Sequence, residues 1–236
     1  MQNKPYYVFF DTETTGLPKT KIISHESLDK WPHIVQFSFI IFDTETTSIL
    51  LSNDSIIKMN NDIQIPQESI DIHGITNEIS REKGVNIEFP LKQFFYYLRE
   101  VDILVGHNVA FDINMLQVEL MRIIYNNKYP QHHITAYKTD FHFLVNFKQI
   151  YCTMQESIDM CAIKTINKFG REYNKYPRLS ELHQHLFGCV PKNLHNSFID
   201  ILVTLRCFMQ MKSNIDLLNE CNDFVLMTKG VFDSQL

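Results

Sequence analysis

The sequence predicts an α/β protein whose mixed sheet is flanked by helices, and three features predict it. Residues 6–10 form an unbroken aromatic and β-branched run, the pattern of a strand buried on both faces. A long alternating strand at 33–42 and a hairpin partner at 48–59 follow. Short apolar strands at 103–105 and 149–153 then alternate with helical segments. Five strands in this order predict a mixed sheet, because the first three can pair as neighbours and the later two need helical crossovers.

The remaining elements are predicted from periodicity and from helix-start signals. Residues 19–30 and 60–89 are expected to be irregular, and residues 126–148 form an unusually long connection without a clear period. Helices are predicted at 90–100, at 109–125 with Asn108 as its cap, at 156–168, at 179–187, at 198–212 with Ser197 as its cap, and at 214–228. No linker or repeat is visible. We therefore expect one domain over residues 1–236, with a core at about 6–212 and a C-terminal helix at about 214–228.

Composition excludes several classes of function. Only seven glycines occur, and neither a dinucleotide-binding fingerprint nor a P-loop is present. The net charge of −5 argues against a broad basic nucleic-acid surface, so metal ions would have to neutralise much of a phosphate backbone. The five cysteines lack C-x-x-C spacing, which indicates buried reduced thiols and a cytoplasmic or nuclear location. No secretion signal or membrane-spanning run is seen, so neither secretion nor a membrane partner is expected.

Four acidic residues lie at the ends of predicted elements: Asp11, Glu13, Asp112 and Asp200. Asp11 and Glu13 point the same way because side chains alternate along a strand. In an open α/β sheet, ligands bind at the carboxyl ends of strands, so all four acids can converge there. Clustered carboxylates need divalent cations, and an all-oxygen set fits Mg²⁺ or Mn²⁺. Two such ions about 3.5–4 Å apart suit phosphoryl displacement, and His195, five residues before Asp200, could take a proton from water.

Three motifs carry a resemblance to a known family. They are Phe-Asp-Thr-Glu-Thr-Thr-Gly-Leu at 10–17, Gly-His-Asn-Val-Ala-Phe-Asp at 106–112 and His-Asn-Ser-Phe-Ile-Asp at 195–200. Together with His-Gly-Ile at 73–75 they resemble the DEDDh family of 3′–5′ exonucleases, which includes the proofreading epsilon subunit of bacterial DNA polymerase III. The resemblance covers roughly residues 6–210 and implies a ribonuclease H-like fold with a mixed five-stranded sheet.

The resemblance also implies roles for individual residues. Asp11, Glu13 and Asp200 would hold the metal that binds the attacking water, Asp11 would bridge to a second metal near Asp112, and His195 would be the general base. The backbone amides around Thr12 and Thr15 would seat a 3′ end. The predicted substrate contacts are Thr12, Thr15, Leu17, His73, Asn108 and Phe111. The implied cofactors are two Mg²⁺ or Mn²⁺ ions, and the implied reaction releases nucleoside 5′-monophosphates from DNA.

Several alternatives stay open at this stage. The same chemistry could act on RNA, and a non-catalytic module could retain the fold to bind single strands or to tether a polymerase. A DNA polymerase partner and roles in DNA repair, replication or proofreading are also implied by the resemblance. A zinc site at His132, His133, His142 and Cys152 is disfavoured because the spacing fits no standard pattern. Residues 184–187 resemble a sliding-clamp-binding peptide, but core packing is the favoured interpretation.

Overall fold

The computed structural model describes residues 5–126 and 129–232. Its main sheet has five strands in the order β3-β2-β1-β4-β5. Their bounds are β1 Tyr6–Thr14, β2 Ile34–Asp43, β3 Ser48–Ile56, β4 Ile103–Gly106 and β5 Ile150–Cys152. β1 pairs antiparallel with β2 and parallel with β4, and β4 pairs parallel with β5. The predicted mixed five-stranded sheet is therefore confirmed, with β1 at its centre.

Helices cover the sheet, and a second, two-stranded sheet stands apart from it. The helices are α1 Gln67–His73, α2 Asn77–Lys83, α3 Glu88–Leu98, α4 Val109–Ile124, α5 Gln131–Val145, α6 Thr153–Glu156, α7 Ile158–Cys161, α8 Leu179–Phe187, α9 Ser197–Ser213, α10 Leu217–Glu220 and α11 Asn222–Met227, with a 3-10 helix at His25–Lys30. The small sheet pairs β6 Lys164–Ile166 with β7 Glu172–Asn174. The main sheet with helices around it is the α/β architecture of the ribonuclease H-like fold.

The alternation of side chains along β1 divides the hydrophobic core into two layers. Val8 and Phe10 face one layer, where they pack with residues of β2, α3 and α4. Phe9 faces the other layer and packs with residues of α8, α9 and the C-terminal segment. Because both faces are covered, all ten residues of β2 are buried, which explains its nearly continuous apolar sequence.

The long connections were predicted wrongly. Residues 60–89 contain α1 and α2, and most of residues 126–148 forms α5, although residues 127 and 128 lie outside the described part. Each of α1 and α2 has only seven residues, too few to show a helical period. The buried face of α5 consists of Tyr137, Asp140 and Leu144. Since two of these are polar and pair with Glu88 and Arg99, a search for apolar periodicity does not find the helix.

Three further predictions need correction. The helix predicted at 156–168 is two short helices followed by β6, and the helix predicted at 214–228 is broken at Cys221 into α10 and α11. Ser197 is the first residue of α9, whose cap is Asn196. Asn108 does precede α4, but it adopts φ 67° and its side chain makes no capping hydrogen bond. All five cysteines are free thiols, although Cys161 and Cys189 are only partly buried.

No helix in the described ranges is both long and apolar enough to cross a membrane. The segment that resembles a clamp-binding peptide lies in α8, where Leu186 and Phe187 pack against the second core layer. Core packing is therefore confirmed as its role in the fold.

Candidate active site

The four predicted carboxylates converge at the carboxyl edge of the central strands. Asp11 and Glu13 lie near the C-terminal end of β1, on the same face of the strand. β4 runs parallel to β1, with Phe9 opposite Val105, so the chain leaves β4 at the level of Asp11 and enters α4, which carries Asp112 in its first turn. Asp200 occupies the first turn of α9. The charges of Asp112, Asp200 and Glu13 all act on Asp11, which places the four groups in one cluster.

Asp112 is held against β1 by Thr12. The backbone N–H of Thr12 donates to Asp112 Oδ1 at 3.1 Å, and the Thr12 hydroxyl donates to the same oxygen at 2.7 Å. Both residues are buried. Two donors on one carboxylate oxygen fix the position of Asp112 beside β1.

Asp200 is positioned by polar contacts between α9 and β2. Ser197 Oγ lies 2.6 Å from Ser38 Oγ, and the Ser197 N–H donates to Gln36 Oε1 at 3.2 Å. Asn196 caps the helix by accepting hydrogen bonds from the N–H groups of Phe198 and Ile199. These contacts fix the first turn of α9 across the end of β1, and Asp200 faces the cluster as a result.

The loop before α9 brings His195 next to two of the acids. The backbone N–H of His195 donates to Asp200 Oδ2 at 3.2 Å. The backbone of His195 adopts the left-handed conformation, with φ 68°. One ligand atom from each of Glu13, His195 and Asp200 lies within 4.8 Å of the others. The structure therefore gives His195 a possible place among metal ligands, which the sequence did not indicate.

Burial and mutual repulsion make these carboxyl groups hold protons more tightly than usual. Burial raises the pKa of Glu13 to about 8, and the charges of Asp200 and Asp112 act in the same direction. Burial raises the pKa of Asp112 to about 7 despite the hydrogen bonds from Thr12, and raises the pKa of Asp200 to about 7. The pKa of Asp11 lies well above its ordinary range because of burial and its three acidic neighbours. Bound cations would relieve this repulsion.

The donor set fits divalent cations. In the described part of the chain, Asp200 Oδ1 is buried and has no hydrogen-bond partner. A buried carboxylate oxygen without a partner is costly, and a metal ion is one of the few groups that would satisfy it. Within the described residues, one group of three side chains has possible metal-ligand atoms close together: Glu13, His195 and Asp200. His132, His133 and His142 of α5 do not form such a group with Cys152 in the described part of the chain.

The predicted substrate contacts lie in different environments. The N–H of Thr12 is engaged by Asp112, and the N–H of Thr15 donates to the His33 carbonyl at 2.9 Å. Neither amide is free to bind a 3′ end in this structure. Leu17 is 82% exposed and is open to contact a base.

The other three substrate candidates also differ in exposure. His73 is buried, and its Nδ1 accepts a hydrogen bond from the Ile75 N–H at 3.0 Å. Its Nε2 is also buried. Burial lowers the pKa of His73, and a hydrogen bond with the Thr14 backbone partly offsets that shift, so the ring is turned toward protein in this structure. Asn108 is exposed at the start of α4, whereas Phe111 is half-buried against the core.

Sequence reasoning missed three polar residues that support the site. Gln36 and Ser38 interrupt an otherwise apolar strand, and this interruption was the available signal. His107 lies inside the second motif; its Nδ1 is 3.0 Å from Thr153 Oγ and its Nε2 is 3.1 Å from the Pro177 carbonyl. Since the carbonyl can only accept, Nε2 carries a proton. Burial lowers the pKa of His107 to about 4, so it is a neutral structural residue.

A well-formed cavity lies away from the acids. A cavity of about 530 Å³ is lined by residues from the ends of β3 and α4, including His33, Glu119 and Arg122, and by none of the four acids.

A family comparison agrees with this geometry. The family model for Exonuclease (RNase_T) matches residues 8–208, a range that contains all four acids and His195. No curated protein sequence matches the chain closely enough to count as a relative.

Solved structures of E. coli exonuclease I share the fold. The complex with a 5cy-dT13 oligonucleotide is 18% identical, with a TM-score of 0.58, and the match covers 90% of this chain and 42% of that chain. The complex with a dA16 oligonucleotide is 19% identical, with a TM-score of 0.59 and coverages of 89% and 42%. The zinc-bound complex with single-stranded DNA is 18% identical, with a TM-score of 0.59 and coverages of 90% and 42%. The chain thus spans less than half the length of the exonuclease I chains that it matches.

Proposed function

We propose that this chain, which belongs to the DEDDh exonuclease family, removes nucleotides one at a time from the 3′ end of DNA and releases nucleoside 5′-monophosphates. Family membership makes it a hydrolase that acts on nucleic acid. The observation that carries the finer proposal is the convergence of Asp11, Glu13, Asp112 and Asp200 beside His195. A complete set of acids and a neighbouring base suits hydrolysis, whereas a module that only binds nucleic acid has no need of it.

Two Mg²⁺ or Mn²⁺ ions are the proposed cofactors. Asp11, Glu13 and Asp200 would hold one ion, and Asp11 and Asp112 the other. When bound, such a pair of ions stabilises the charge on the attacking and leaving oxygens of a phosphoryl displacement. The buried, unpartnered Oδ1 of Asp200 and the raised pKa values of the cluster support cation binding here. The zinc-bound exonuclease I complex supports the use of a divalent metal in this fold.

His195 is the proposed general base. It lies outside α9 and beside Asp200 and Glu13, where it can accept a proton from an attacking water. Leu17 would contact the last base, and His73 stays a predicted contact to the terminal nucleotide. Four other residues stay predicted substrate contacts: Thr12, Thr15, Asn108 and Phe111. The backbone amides of Thr12 and Thr15 are already hydrogen-bonded within the protein, so other atoms of these two residues would have to make the contact.

The choice of DNA as substrate rests on the similar structures. Exonuclease I is seen with dT13 and dA16 oligonucleotides, which supports a single strand of DNA as the polymer. The alternative substrate is RNA, with the same chemistry. A polymerase partner, a role in repair, replication or proofreading, a cytoplasmic or nuclear location and a single-domain organisation remain predictions from the sequence.

The direct test uses linear and circular substrates side by side. We expect linear single-stranded DNA to be shortened stepwise from a free 3′ hydroxyl and circular single-stranded DNA to resist. Cutting of the circle at a comparable rate would contradict an exonuclease that starts at an end. Matched 2′-deoxy and ribo oligonucleotides of one sequence then separate the two substrates, and a higher kcat/KM on the ribo oligonucleotide would establish the alternative.

A further inference from the structure

The small sheet formed by β6 and β7 is an exposed ribbon without a core of its own. Lys164 and Ile166 on β6 are exposed, as are Glu172 and Tyr173 on β7. Residues 167–170 connect the strands in a turn that ends at Gly170, with φ 79°. A two-stranded hairpin in water gains little stability by itself. Its sequence therefore calls for an explanation other than packing.

Large apolar side chains are concentrated on this ribbon. Phe169 at the tip is 82% exposed, Ile166 is 68% exposed and Tyr173 is 47% exposed. Ile166 pairs with Glu172 and Tyr173 pairs with Thr165, so Ile166 and Tyr173 lie on opposite faces of the ribbon. Phe169 at the tip is the most exposed of the three side chains. Aromatic side chains stack on nucleic-acid bases of any sequence, because every base has a π face.

Cations accompany these apolar groups. Residues 164–175 carry three lysines and one arginine but a single acid, in a chain whose net charge is −5. Lys164 and Glu172 lie 3.5 Å apart, and Lys175 pairs with Glu181 at 2.6 Å. Lys168 Nζ lies 5.0 Å from the centre of the Phe169 ring. The tip of the ribbon thus presents Lys168, Phe169 and Arg171 together, a local positive charge that complements a phosphate backbone.

The base of the ribbon is docked at the same sheet edge as the carboxylates. The chain leaving β7 passes Pro177, whose carbonyl accepts a hydrogen bond from His107 Nε2 at 3.1 Å. His107 directly follows β4, the immediate neighbour of β1 in the sheet. Because paired strands lie about 4.8 Å apart, the ribbon is anchored close to the end of β1 that bears Asp11 and Glu13.

We propose that the hairpin of residues 164–174 binds the single strand of nucleic acid that leads into the active site, a role that rests on the proposed function. Phe169 stacks on a base, and Lys168 and Arg171 bind phosphates upstream of the terminal nucleotide. The hairpin holds the polymer near the carboxylates and takes no part in bond cleavage.

The test compares a long substrate with one too short to reach the hairpin. The long substrate is a single-stranded 20-nucleotide DNA, and the short one is the p-nitrophenyl ester of thymidine 5′-monophosphate. The measured quantity is the ratio of kcat/KM on the oligonucleotide to kcat/KM on the ester. For Phe169→Ser we expect this ratio to fall about tenfold, because stacking on one base is lost. Tyr96→Ser is the matched control, since Tyr96 is 67% exposed on α3, and its ratio should match wild type.

A second pair of variants tests the charges. Lys168→Gln combined with Arg171→Gln should lower the slope of log KM against log salt for the oligonucleotide by ~1.4, which is ~0.7 for each lost phosphate contact on a single strand. The control combines Lys138→Gln with Lys148→Gln, two exposed lysines outside the hairpin, and should keep the wild-type slope.

The outcomes separate the two proposals. Hairpin variants with wild-type ratios and salt slopes would overturn the role of the hairpin while leaving the exonuclease proposal intact, as would an equal loss in the control variants. A wild-type protein that hydrolyses neither the ester nor the oligonucleotide with Mg²⁺ or Mn²⁺ would overturn the proposed function itself. Because ester hydrolysis reports an intact active site in each variant, a folding defect would appear as a loss on both substrates.

Discussion

Single residues hold the carboxylates in place, and Thr12 shows how. Its hydroxyl donates to Asp112 Oδ1 at 2.7 Å, beside the backbone donor at 3.1 Å. Thr12→Val keeps the volume and the backbone hydrogen bond but removes the hydroxyl. Since such supporting partners typically contribute 10- to 100-fold to metal affinity, we expect the dissociation constant for Mn²⁺ to rise by about tenfold in a calorimetric titration. Thr12→Ser should stay close to wild type, and unchanged affinity in Thr12→Val would show that Asp112 needs no second donor.

His195 has two possible roles that a single variant separates. As a general base it contributes turnover, so His195→Ala should lower kcat by about 10²–10⁴-fold. Binding of a DNA 3′ end with metal present should persist, because the four acids remain. Turnover is measured by nucleotide release and binding by fluorescence anisotropy. If His195→Ala instead loses metal-dependent binding as completely as Asp11→Asn, the contact among Glu13, His195 and Asp200 reflects ligation, and the base is another group.

The acids were predictable from the sequence, but their supports were not. Asp11, Glu13, Asp112 and Asp200 lie at element ends within motifs, a pattern that can be read from the chain alone. Ser38 and Ser197 meet although they are 159 residues apart, and Thr12 and Asp112 are 100 residues apart. Pairs this distant depend on the register of the sheet and the approach of α9, neither of which a local pattern specifies.

Helices and strands were predictable where their buried side chains are apolar and recur with a regular period. β1, β2 and β4 were found because most of their buried side chains are apolar. β6 was included in the helix predicted at 156–168, although Asn167 and Gly170 mark the turn between β6 and β7. α5 was missed because Tyr137 and Asp140 are buried through Glu88 and Arg99. Polar pairing between distant elements thus limits what periodicity can reveal.

The hydrogen bond from His107, which follows β4, to the Pro177 carbonyl before α8 predicts that stability depends on pH. His107 has a pKa of about 4 in the folded protein, below the value of about 6.5 expected when unfolded. As the pH falls, His107 is protonated in the unfolded state at a higher pH than in the folded state. The contribution of neutral His107 to the free energy of unfolding is therefore present above about pH 6.5 and is lost as the pH falls toward 4.

The matched variant is His107→Gln, which keeps one donor and one acceptor. Between pH 7.5 and 5, we expect wild type to lose about 2 kcal/mol of unfolding free energy relative to this variant, because only the histidine titrates. Urea denaturation at both pH values gives the difference. Parallel pH profiles for the two proteins would contradict a His107 that stays neutral in the folded protein.

A buried ion pair ties the C-terminal segment to α9. Arg206 is only 1% exposed, and it donates to Asp216 Oδ1 at 2.8 Å and to Oδ2 at 2.7 Å. Its guanidinium lies 3.9 Å from the centre of the Phe187 ring. Asp216→Ala leaves a buried charge without its carboxylate, so we expect a loss of about 3 kcal/mol, the low end for breaking a buried pair, because Asp216 is partly exposed.

The control for that variant is an exposed ion pair. Glu78 and Arg81 form a surface pair at 2.7 Å, so Glu78→Ala should leave the urea midpoint almost unchanged. Equal effects of Asp216→Ala and Glu78→Ala would show that the Arg206 contact contributes no more than a surface pair.

The molecule as a whole is acidic, and its proposed substrate is an acidic polymer, so the proposed binding requires local compensation of charge. Its net charge is −5, and four of its carboxyl groups are concentrated at the end of β1, where burial and mutual repulsion raise their pKa values. Divalent cations would reverse the local charge at the point where phosphate arrives. The central claim is therefore that these carboxylates act through bound metal.

Nucleotide release by metal-free protein tests this claim most directly. The substrate is a 5′-labelled single-stranded DNA, with Mg²⁺ or Mn²⁺ titrated in and Asp11→Asn run in parallel. We predict no shortening in chelator, stepwise shortening from the 3′ end once metal is added, and no recovery of Asp11→Asn at any metal concentration. Undiminished shortening in chelator, or full activity of Asp11→Asn, would contradict the account.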